Sequence, residues 1–182
     1  MRTPTAISLF SGCGGMDLGF VQAGFDVLWA NDINGFACKT YAHNIGDHII
    51  HGDITEIDYQ SIPTADIIIG GFPCQDFSML WKRGGVSTDR GNLYKNFVDL
   101  VAQKNPKVFV AENVKGILTA NKKQAIKQII EDFSDTGEIG YNTKAILVNF
   151  ANYGVSQLRE RVLIIGVRKD LDVEFVAPQV LN

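Results

Sequence analysis

Two residues in this sequence, a cysteine and a glutamate, each follow a predicted strand in surroundings that favour chemistry. Cys74 comes after Gly70, Gly71 and Pro73, which let a ligand approach closely and set the direction of the chain. A position at a strand end and at the start of a helix favours the thiolate form. Glu112 follows another predicted strand. A thiolate beside a carboxyl group suits addition to an electron-poor ring whose nitrogen must be protonated or hydrogen-bonded.

The other cysteines and the histidines do not indicate a hydrolase, a metal site or a disulfide framework. No histidine follows His51, so a cysteine–histidine pair of the thiol-hydrolase kind has no obvious candidate. His48 and His51 lie close together, but no second ligand pair stands at zinc-binding spacing, and we interpret them as polar surface histidines near a turn. Cys13, Cys38 and Cys74 form no CxxC pair, which argues against disulfides.

A glycine-rich turn follows the first predicted strand and indicates a cofactor site. Gly12 and Gly14 supply a tight turn and lead into a helix N-terminus. A dinucleotide fingerprint would require a third glycine at position 17, where this chain has Asp17, so pyrophosphate binding is disfavoured. Asp32 lies about twenty residues further on, at the end of the second strand, where a carboxylate can accept hydrogen bonds from both ribose hydroxyls.

A second carboxylate extends this prediction to the base of a nucleoside. Asp53 follows the third predicted strand and could accept a hydrogen bond from an adenine amine, while Ile33 and Ile54 could sandwich the ring. A glycine turn with two carboxylates predicts a nucleoside-bearing ligand with little phosphate. S-adenosylmethionine fits that description.

The alternation of strand and helix patterns positions these residues on one edge of a sheet. We predict strands at about residues 5–10, 25–30, 48–51, 65–69, 107–111, 145–150 and 162–167, and helices at about 16–22, 35–43, 92–103 and 121–133. This order predicts an α/β fold with a doubly wound, mostly parallel sheet. Ligands bind such sheets beyond the carboxyl ends of the strands, which is where the glycine turn, the carboxylates and the cysteine are expected.

Composition places the chain among ordinary globular domains. Its 182 residues are enough for one domain with a substantial core. Its apolar runs are too short to cross a bilayer and the N-terminus lacks a signal-peptide pattern, so we expect a cytosolic protein. The net charge of −3 and the pI of about 5.6 argue against broad electrostatic capture of nucleic acid by this chain alone.

Four sequence blocks together resemble the DNA cytosine-C5 methyltransferase family of bacterial restriction-modification systems. They occur in the family's order and at its intervals, and they span nearly the whole chain. The blocks are residues 9–15 (LFSGCGG), 71–78 (GFPCQDFS), 112–114 (ENV) and 153–161 (YGVSQLRER). The resemblance implies a Rossmann-like S-adenosylmethionine-dependent methyltransferase fold, with residues 1–182 forming the catalytic and cofactor-binding domain.

The resemblance also implies roles for individual residues. Cys74 would add to C6 of a cytosine flipped out of double-stranded DNA, which makes C5 a nucleophile for the methyl group. Glu112 would hold N3 and the 4-amino group, and the backbone carbonyl of Phe72 would share that amine. Arg161 would bind the base O2, and Arg159 would support the thiolate or a nearby phosphate.

Further positions match the family's cofactor and substrate contacts. The cofactor positions are Phe10, Gly12, Gly14, Asp32, Ile33, Asp53, Ile54, Pro73 and Leu93. Asp32 stands where a glutamate is common in the family, which predicts a longer or water-bridged ribose contact. The substrate side would include Gln75, Ser78, Asn113 and Val114, together with a DNA-closing loop that carries Lys82, Arg83 and Arg90. No metal is implied.

The family's target-recognition region and final segments have no counterpart in these residues. We therefore expect either one subunit of a split enzyme, with a second chain that carries the recognition region, or a truncated chain. In both cases we expect the chain alone to bind cofactor poorly and to show no sequence-specific methylation. Three other functions remain open. They are a tRNA cytosine-C5 methyltransferase, a silent adenosylmethionine-binding partner module and, from another class, a dinucleotide oxidoreductase.

Overall fold

Helices and strands alternate along the described part of the chain. A computed structural model describes residues 2–73 and 93–181. The strands are β1 (Thr5–Leu9), β2 (Asp26–Asp32), β3 (Ile49–His51), β4 (Ile67–Gly70), β5 (Val108–Val114), β6 (Tyr141–Asn149) and β7 (Glu160–Arg168). The α-helices of these ranges are α1 (Gly15–Gln22), α2 (Gly35–Asn44), α3 (Leu93–Lys104) and α4 (Gln124–Ser134).

The seven strands form one sheet in the order β3-β2-β1-β4-β5-β7-β6. The pairs from β3 to β5 are parallel, and β7 is antiparallel to both of its neighbours. The predicted α/β, doubly wound and mostly parallel sheet is therefore confirmed. The strand order reverses direction between β1 and β4, and a crevice at such a switch point is where open α/β sheets bind ligands.

The larger core lies between one face of the sheet and the helices α3 and α4. Both helices are amphipathic and bury one apolar stripe; in α4 this stripe includes Ile126, Ile129 and Phe133. Phe133 stacks on Phe109 of β5 with the ring centroids 4.3 Å apart. This packing fixes the central strands, whose carboxyl ends carry the candidate site.

Several predicted boundaries were wrong because long-range pairing extends the strands. The prediction ended the fifth strand at residue 111, but β5 continues through Glu112 and Asn113 to Val114. These residues pair with the antiparallel β7, where Glu112 lies opposite Leu163. Likewise, β6 begins at Tyr141 rather than at residue 145. The fourth helix starts at Gln124, because the preceding residues form a 3-10 turn with positive φ angles.

The contact between Gly166 and Phe109 gives a testable stability effect. These residues lie opposite each other in β7 and β5, and a Cβ atom at Gly166 would lie 2.0 Å from Cε1 of Phe109. We expect Gly166→Ala to lower the free energy of unfolding by about 2 kcal/mol, because the aromatic stack must shift. A Cβ at Gly19, inside α1, meets nothing within 4 Å. In urea titrations Gly19→Ala should therefore be neutral or stabilising, and an unchanged midpoint for Gly166→Ala would contradict this packing.

Candidate active site

A cavity of about 440 Å³ lies at the carboxyl ends of β1 to β4. Its volume is within the range of about 300–1,000 Å³ that is usual for small-molecule sites. Seven of the nine predicted cofactor residues line it: Phe10, Asp32, Ile33, Asp53, Ile54, Pro73 and Leu93. Four lining residues were not predicted: Asn31, Gly52, Thr55 and Gly71. The structure thus brings the two carboxylates and the two isoleucines of the prediction around one space.

The turn after β1 has the backbone strain that is often found at ligand sites. Phe10 has a φ of 54°, which is rare for a bulky residue, and Gly12 has a φ of 56°. A Cβ at Gly12 would meet nothing within 4 Å, so its open side leaves room for a ligand. The amide N–H of Gly12 donates to Oδ2 of Asp32 at 2.8 Å. The carboxylate therefore holds the turn against the end of β2.

Asp32 uses both carboxylate oxygens to fix the backbone at the cavity. Its Oδ1 accepts a hydrogen bond from the amide of Asn34 at 2.8 Å, in addition to the bond from Gly12 on Oδ2. A carboxylate has about four lone-pair sites, so each oxygen can accept one further bond. Two hydroxyl groups of a ribose are one pair of donors that would complete the set.

Gly14 does not line the cavity, although the sequence placed it among the cofactor contacts. Its φ is 86°, and a Cβ there would lie 2.1 Å from Cδ1 of Ile45 and 2.8 Å from Cδ2 of Tyr41. The structure shows a packing requirement at this position. A cofactor contact by Gly14 remains a prediction.

The loop after β3 is organised by Asp53 and by Asn31, a residue that the sequence analysis missed. Oδ1 of Asp53 accepts hydrogen bonds from the amide and the hydroxyl of Thr55. Asp53 thereby caps the N-terminus of the 3-10 helix Ile54–Glu56. The buried side chain of Asn31 donates to the carbonyls of Ile50 and Gly52 at 3.0 and 2.9 Å. Asn31 therefore ties β2 to the loop. Its place beside Asp32 at a strand end was the available signal.

The second part of the site is an ion pair at the ends of β5 and β7. Nε of Arg161 lies 2.8 Å from Oε1 of Glu112, and both side chains are about 20% exposed. Arg159 is more distant, with Nη2 3.8 Å from the same oxygen. A Cβ at Gly71 would lie 3.2 Å from Oε2 of Glu112, so the end of β4 passes close to the carboxylate. The predicted catalytic residues Glu112, Arg159 and Arg161 are therefore brought together.

Phe72 and Asn113 are joined by a buried hydrogen bond in which Nδ2 of Asn113 donates to the carbonyl of Phe72 at 2.9 Å. A base amine that donates to this carbonyl, as predicted, would have to use the second lone pair of the oxygen. The Phe72 ring is buried in the main core, and Val114 is partly exposed opposite Arg161. Asn113 thus fixes the backbone just before Pro73.

Six predicted site residues, which include the candidate nucleophile, lie outside the described part of the chain. They are Cys74, Gln75, Ser78, Lys82, Arg83 and Arg90. In the described ranges, 2–73 and 93–181, no group of three or more histidine, cysteine, aspartate or glutamate side chains is arranged to hold a metal ion. No helix of these ranges has the length and apolar character needed to cross a membrane.

Known proteins with similar sequences include DNA methyltransferases. A type II methyltransferase of Neisseria gonorrhoeae, M.NgoFVII, is 58% identical over 97% of this chain and 47% of its own length. The DNA (cytosine-5-)-methyltransferase M.ApeKI of Aeropyrum pernix is 40% identical over 94% of this chain and 45% of its own length. The chain thus spans about half the length of these relatives.

Solved structures support the same assignment. A DNA modification methyltransferase encoded in an E. coli prophage matches with a TM-score of 0.78 and 31% identity, over 96% of this chain and 49% of its own. The Dnmt2 methyltransferase of S. pombe, at 21% identity and a TM-score of 0.71 over 91% of this chain and 51% of its own, shares the fold. The family model for the C-5 cytosine-specific DNA methylase matches residues 5–180. This chain therefore belongs to the C-5 cytosine-specific DNA methylase family.

Proposed function

We propose that this chain is the catalytic and S-adenosylmethionine-binding part of an enzyme that methylates C5 of cytosine in double-stranded DNA, within a type II restriction-modification system. The observation that carries the proposal is the Glu112–Arg161 ion pair, which lies at the end of the strand next to β4. Gly71 and Pro73, which follow β4 and precede Cys74 in the sequence, line the cavity. The carboxyl group of Glu112 and a cavity large enough for a nucleoside thus share one edge of the sheet.

The cavity suits an adenosine with a sulfonium group rather than a dinucleotide. Asp32 and Asp53 offer acceptors for ribose hydroxyls and an adenine amine, and Ile33 and Ile54 line the same space. At the turn, where a dinucleotide fold has a third glycine, the carboxylate of Asp17 is buried. S-adenosylmethionine, when bound there, supplies an electrophilic methyl group.

The chain's own groups divide the reaction between them. The Cys74 thiolate adds to C6 of the flipped base, and the electron pair of the C5–C6 bond becomes available at C5 for the methyl group. Glu112 holds a proton at N3 and accepts from the 4-amino group, so negative charge does not accumulate on the ring. Arg161, which is paired with Glu112, would donate to O2. Methyl transfer would leave S-adenosylhomocysteine. A water molecule acting as base would then take the C5 proton, and the electron pair of that C–H bond would re-form the C5–C6 double bond as the thiolate leaves.

Base flipping requires partners that supply contacts to DNA. Extruding the base costs a few kcal/mol, and this chain carries a net charge of −3. We propose that the polypeptide equivalent to the other half of the relatives' length provides the recognition region, on a second chain or as a continuation of this one. We also propose a cytoplasmic location for the enzyme, since its proposed substrate is bacterial DNA.

The fourfold agreement of motifs, cavity, ion pair and relatives favours this function over the three others. The relative M.ApeKI is named as a DNA enzyme and M.NgoFVII as a type II methyltransferase, and neither is named as a tRNA enzyme. A silent module would not need Glu112 beside Arg161. An oxidoreductase would bind NAD. Titrating the protein with S-adenosylmethionine and, separately, with NAD therefore distinguishes a methyltransferase from an oxidoreductase.

A covalent adduct is the test of this proposal. The chain, supplied with the other half of the enzyme, should form an adduct with a 5-fluorocytosine duplex and cofactor. The adduct should persist because a base can remove hydrogen from C5 as a proton but cannot remove fluorine as a cation. Mass spectrometry should show the adduct in the wild type and in Cys13→Ser, whose cysteine is exposed, and not in Cys74→Ser. An adduct that survives Cys74→Ser rejects the assignment of the nucleophile, and no adduct in the wild type rejects the function.

A further inference from the structure

A buried series of hydrogen bonds runs beneath the glycine turn and is not used by the proposed chemistry. Oγ of Ser11 lies 2.9 Å from Oγ of Ser8, which donates to Oδ2 of Asp17 at 2.9 Å. The hydroxyl of Tyr41 donates to Oδ1 of Asp17 at 2.8 Å and lies 2.9 Å from Nε2 of His48. The series links β1, α1 and α2 to the residue just before β3.

The directions of these hydrogen bonds favour one tautomer of His48. The hydroxyl proton of Tyr41 is donated to Asp17, so the oxygen of Tyr41 can only accept from His48. The tautomer of His48 that fits both bonds carries its proton on Nε2. Our interpretation of His48 as a plain surface histidine was wrong, because it is half-buried and hydrogen-bonded to this buried tyrosine.

The surroundings are shaped to hold these groups. Asp17 and Tyr41 are both fully buried. Burial raises the pKa of Asp17, and its bonds to Tyr41 and Ser8 oppose that rise. Gly14 and Gly46 leave the necessary space, since a Cβ at either would come within 2.8 Å of the Tyr41 or His48 ring. A buried carboxylate costs free energy unless its oxygens are hydrogen-bonded, so the tyrosine and the serine are required partners.

The series ends at the residues that shape the cofactor cavity. Ser11 begins the glycine turn, where its carbonyl accepts from the amide of Gly14 and its own amide donates to the carbonyl of Asn31. The next residue, Gly12, donates to Asp32. A shift of Asp17 or Tyr41 would therefore move the turn relative to two cavity-lining residues, Asn31 and Asp32.

We propose that Asp17, Tyr41 and His48 are positioning residues for S-adenosylmethionine, which they serve by holding the glycine turn in its binding position. This inference rests on the proposed function, since it assigns that cofactor to the cavity. None of the three residues lines the cavity. They act through the backbone of the glycine turn, from Ser11 to Gly14, which contacts Asn31 and Asp32 at the cavity.

Two tyrosine-to-phenylalanine variants separate positioning from stability. Tyr41→Phe removes the hydrogen bond to Asp17. Tyr141 lies in β6, at the other edge of the sheet, and Tyr141→Phe removes an equally buried 2.8 Å bond to the carbonyl of Pro106. We expect both variants to lose stability in urea, Tyr41→Phe somewhat more because its acceptor is a carboxylate. Calorimetry should show that Tyr41→Phe raises the Kd for S-adenosylmethionine about tenfold, since a charged buried acceptor loses a donor, while Tyr141→Phe changes it by less than about twofold.

With the other half of the enzyme supplied, Tyr41→Phe should raise KM for the cofactor and leave kcat nearly unchanged. A Kd for Tyr41→Phe equal to that of the wild type, or one raised equally in Tyr141→Phe, would overturn the positioning role. A wild type that binds no S-adenosylmethionine even with the other half of the enzyme supplied would instead refute the proposed function and this inference with it, so the two failures are distinguishable.

His48 provides a conservative rescue. Glutamine at this position can still donate an N–H to the oxygen of Tyr41, whereas leucine cannot. We expect His48→Gln to keep the Kd within about twofold of the wild type and His48→Leu to raise it about fivefold, as a lost hydrogen bond predicts. Equal weakening by both substitutions, or by neither, would contradict the donor role of His48.

Discussion

Replacing Glu112 by glutamine is expected to lower kcat for methyl transfer by about 10²- to 10⁴-fold, the usual contribution of a general acid or base. The amide keeps the shape of the side chain, and its oxygen can still accept from Nε of Arg161, which lies 2.8 Å from Oε1. It cannot release a proton to N3 as Cys74 adds to C6. Transfer of tritiated methyl groups to DNA, with the other half of the enzyme supplied, measures the loss.

A matched carboxylate at the opposite end of β7 controls for the loss of an ion pair. Asp170 pairs with Arg168 at 2.7 Å, far from the cavity. Asp170→Asn should leave kcat within about twofold of the wild type, because an exposed ion pair contributes less than about 1 kcal/mol. If Glu112→Gln retained wild-type kcat, Glu112 would have no role in proton transfer.

Replacing Asp32 by asparagine is expected to raise the Kd for S-adenosylmethionine about 30-fold, which corresponds to about 2 kcal/mol. Both oxygens of Asp32 accept backbone bonds, from Gly12 and Asn34 at 2.8 Å each. An amide nitrogen in place of either oxygen would face one of these N–H donors. The substitution should therefore displace the glycine turn as well as remove an acceptor for the ribose. Calorimetric titration checks the value.

Asp58 supplies the matched control for this substitution. It caps the 3-10 helix Tyr59–Ser61, where Oδ1 accepts from the amide of Gln60 at 2.9 Å, and it does not line the cavity. Asparagine is also a good N-cap, so Asp58→Asn should change neither stability nor the Kd appreciably. Equal cofactor affinity of Asp32→Asn and Asp58→Asn would remove Asp32 from the site.

The sequence predicted the cavity well because its residues follow strands in local order. Asp32, Ile33, Asp53 and Ile54 could be assigned from hydrophobic runs that end in polar residues, and parallel strands deliver such ends to one edge. The cavity confirms that these four residues lie around one space. Local patterns were sufficient here because each strand end lies within a few residues of the side chain that it positions.

The sequence did not predict features that depend on distant partners. Glu112 was expected after a strand end, but pairing with β7, some fifty residues later in the chain, extends β5 past it. Asp17 was read only as a missing glycine. Its burial depends on Tyr41 and His48, which reach it from α2 and from the residue before β3. Such pairings arise from tertiary packing, which overrides local propensity.

The most direct test of the central claim is a crystal structure of the chain with S-adenosylhomocysteine, the product form of the cofactor. The adenosine should occupy the cavity at the ends of β1 to β4, with its ribose hydroxyls on Asp32 and its ring between Ile33 and Ile54. The sulfur of S-adenosylhomocysteine should point toward Glu112. An adenosine bound elsewhere, with this cavity closed or empty, would contradict the account.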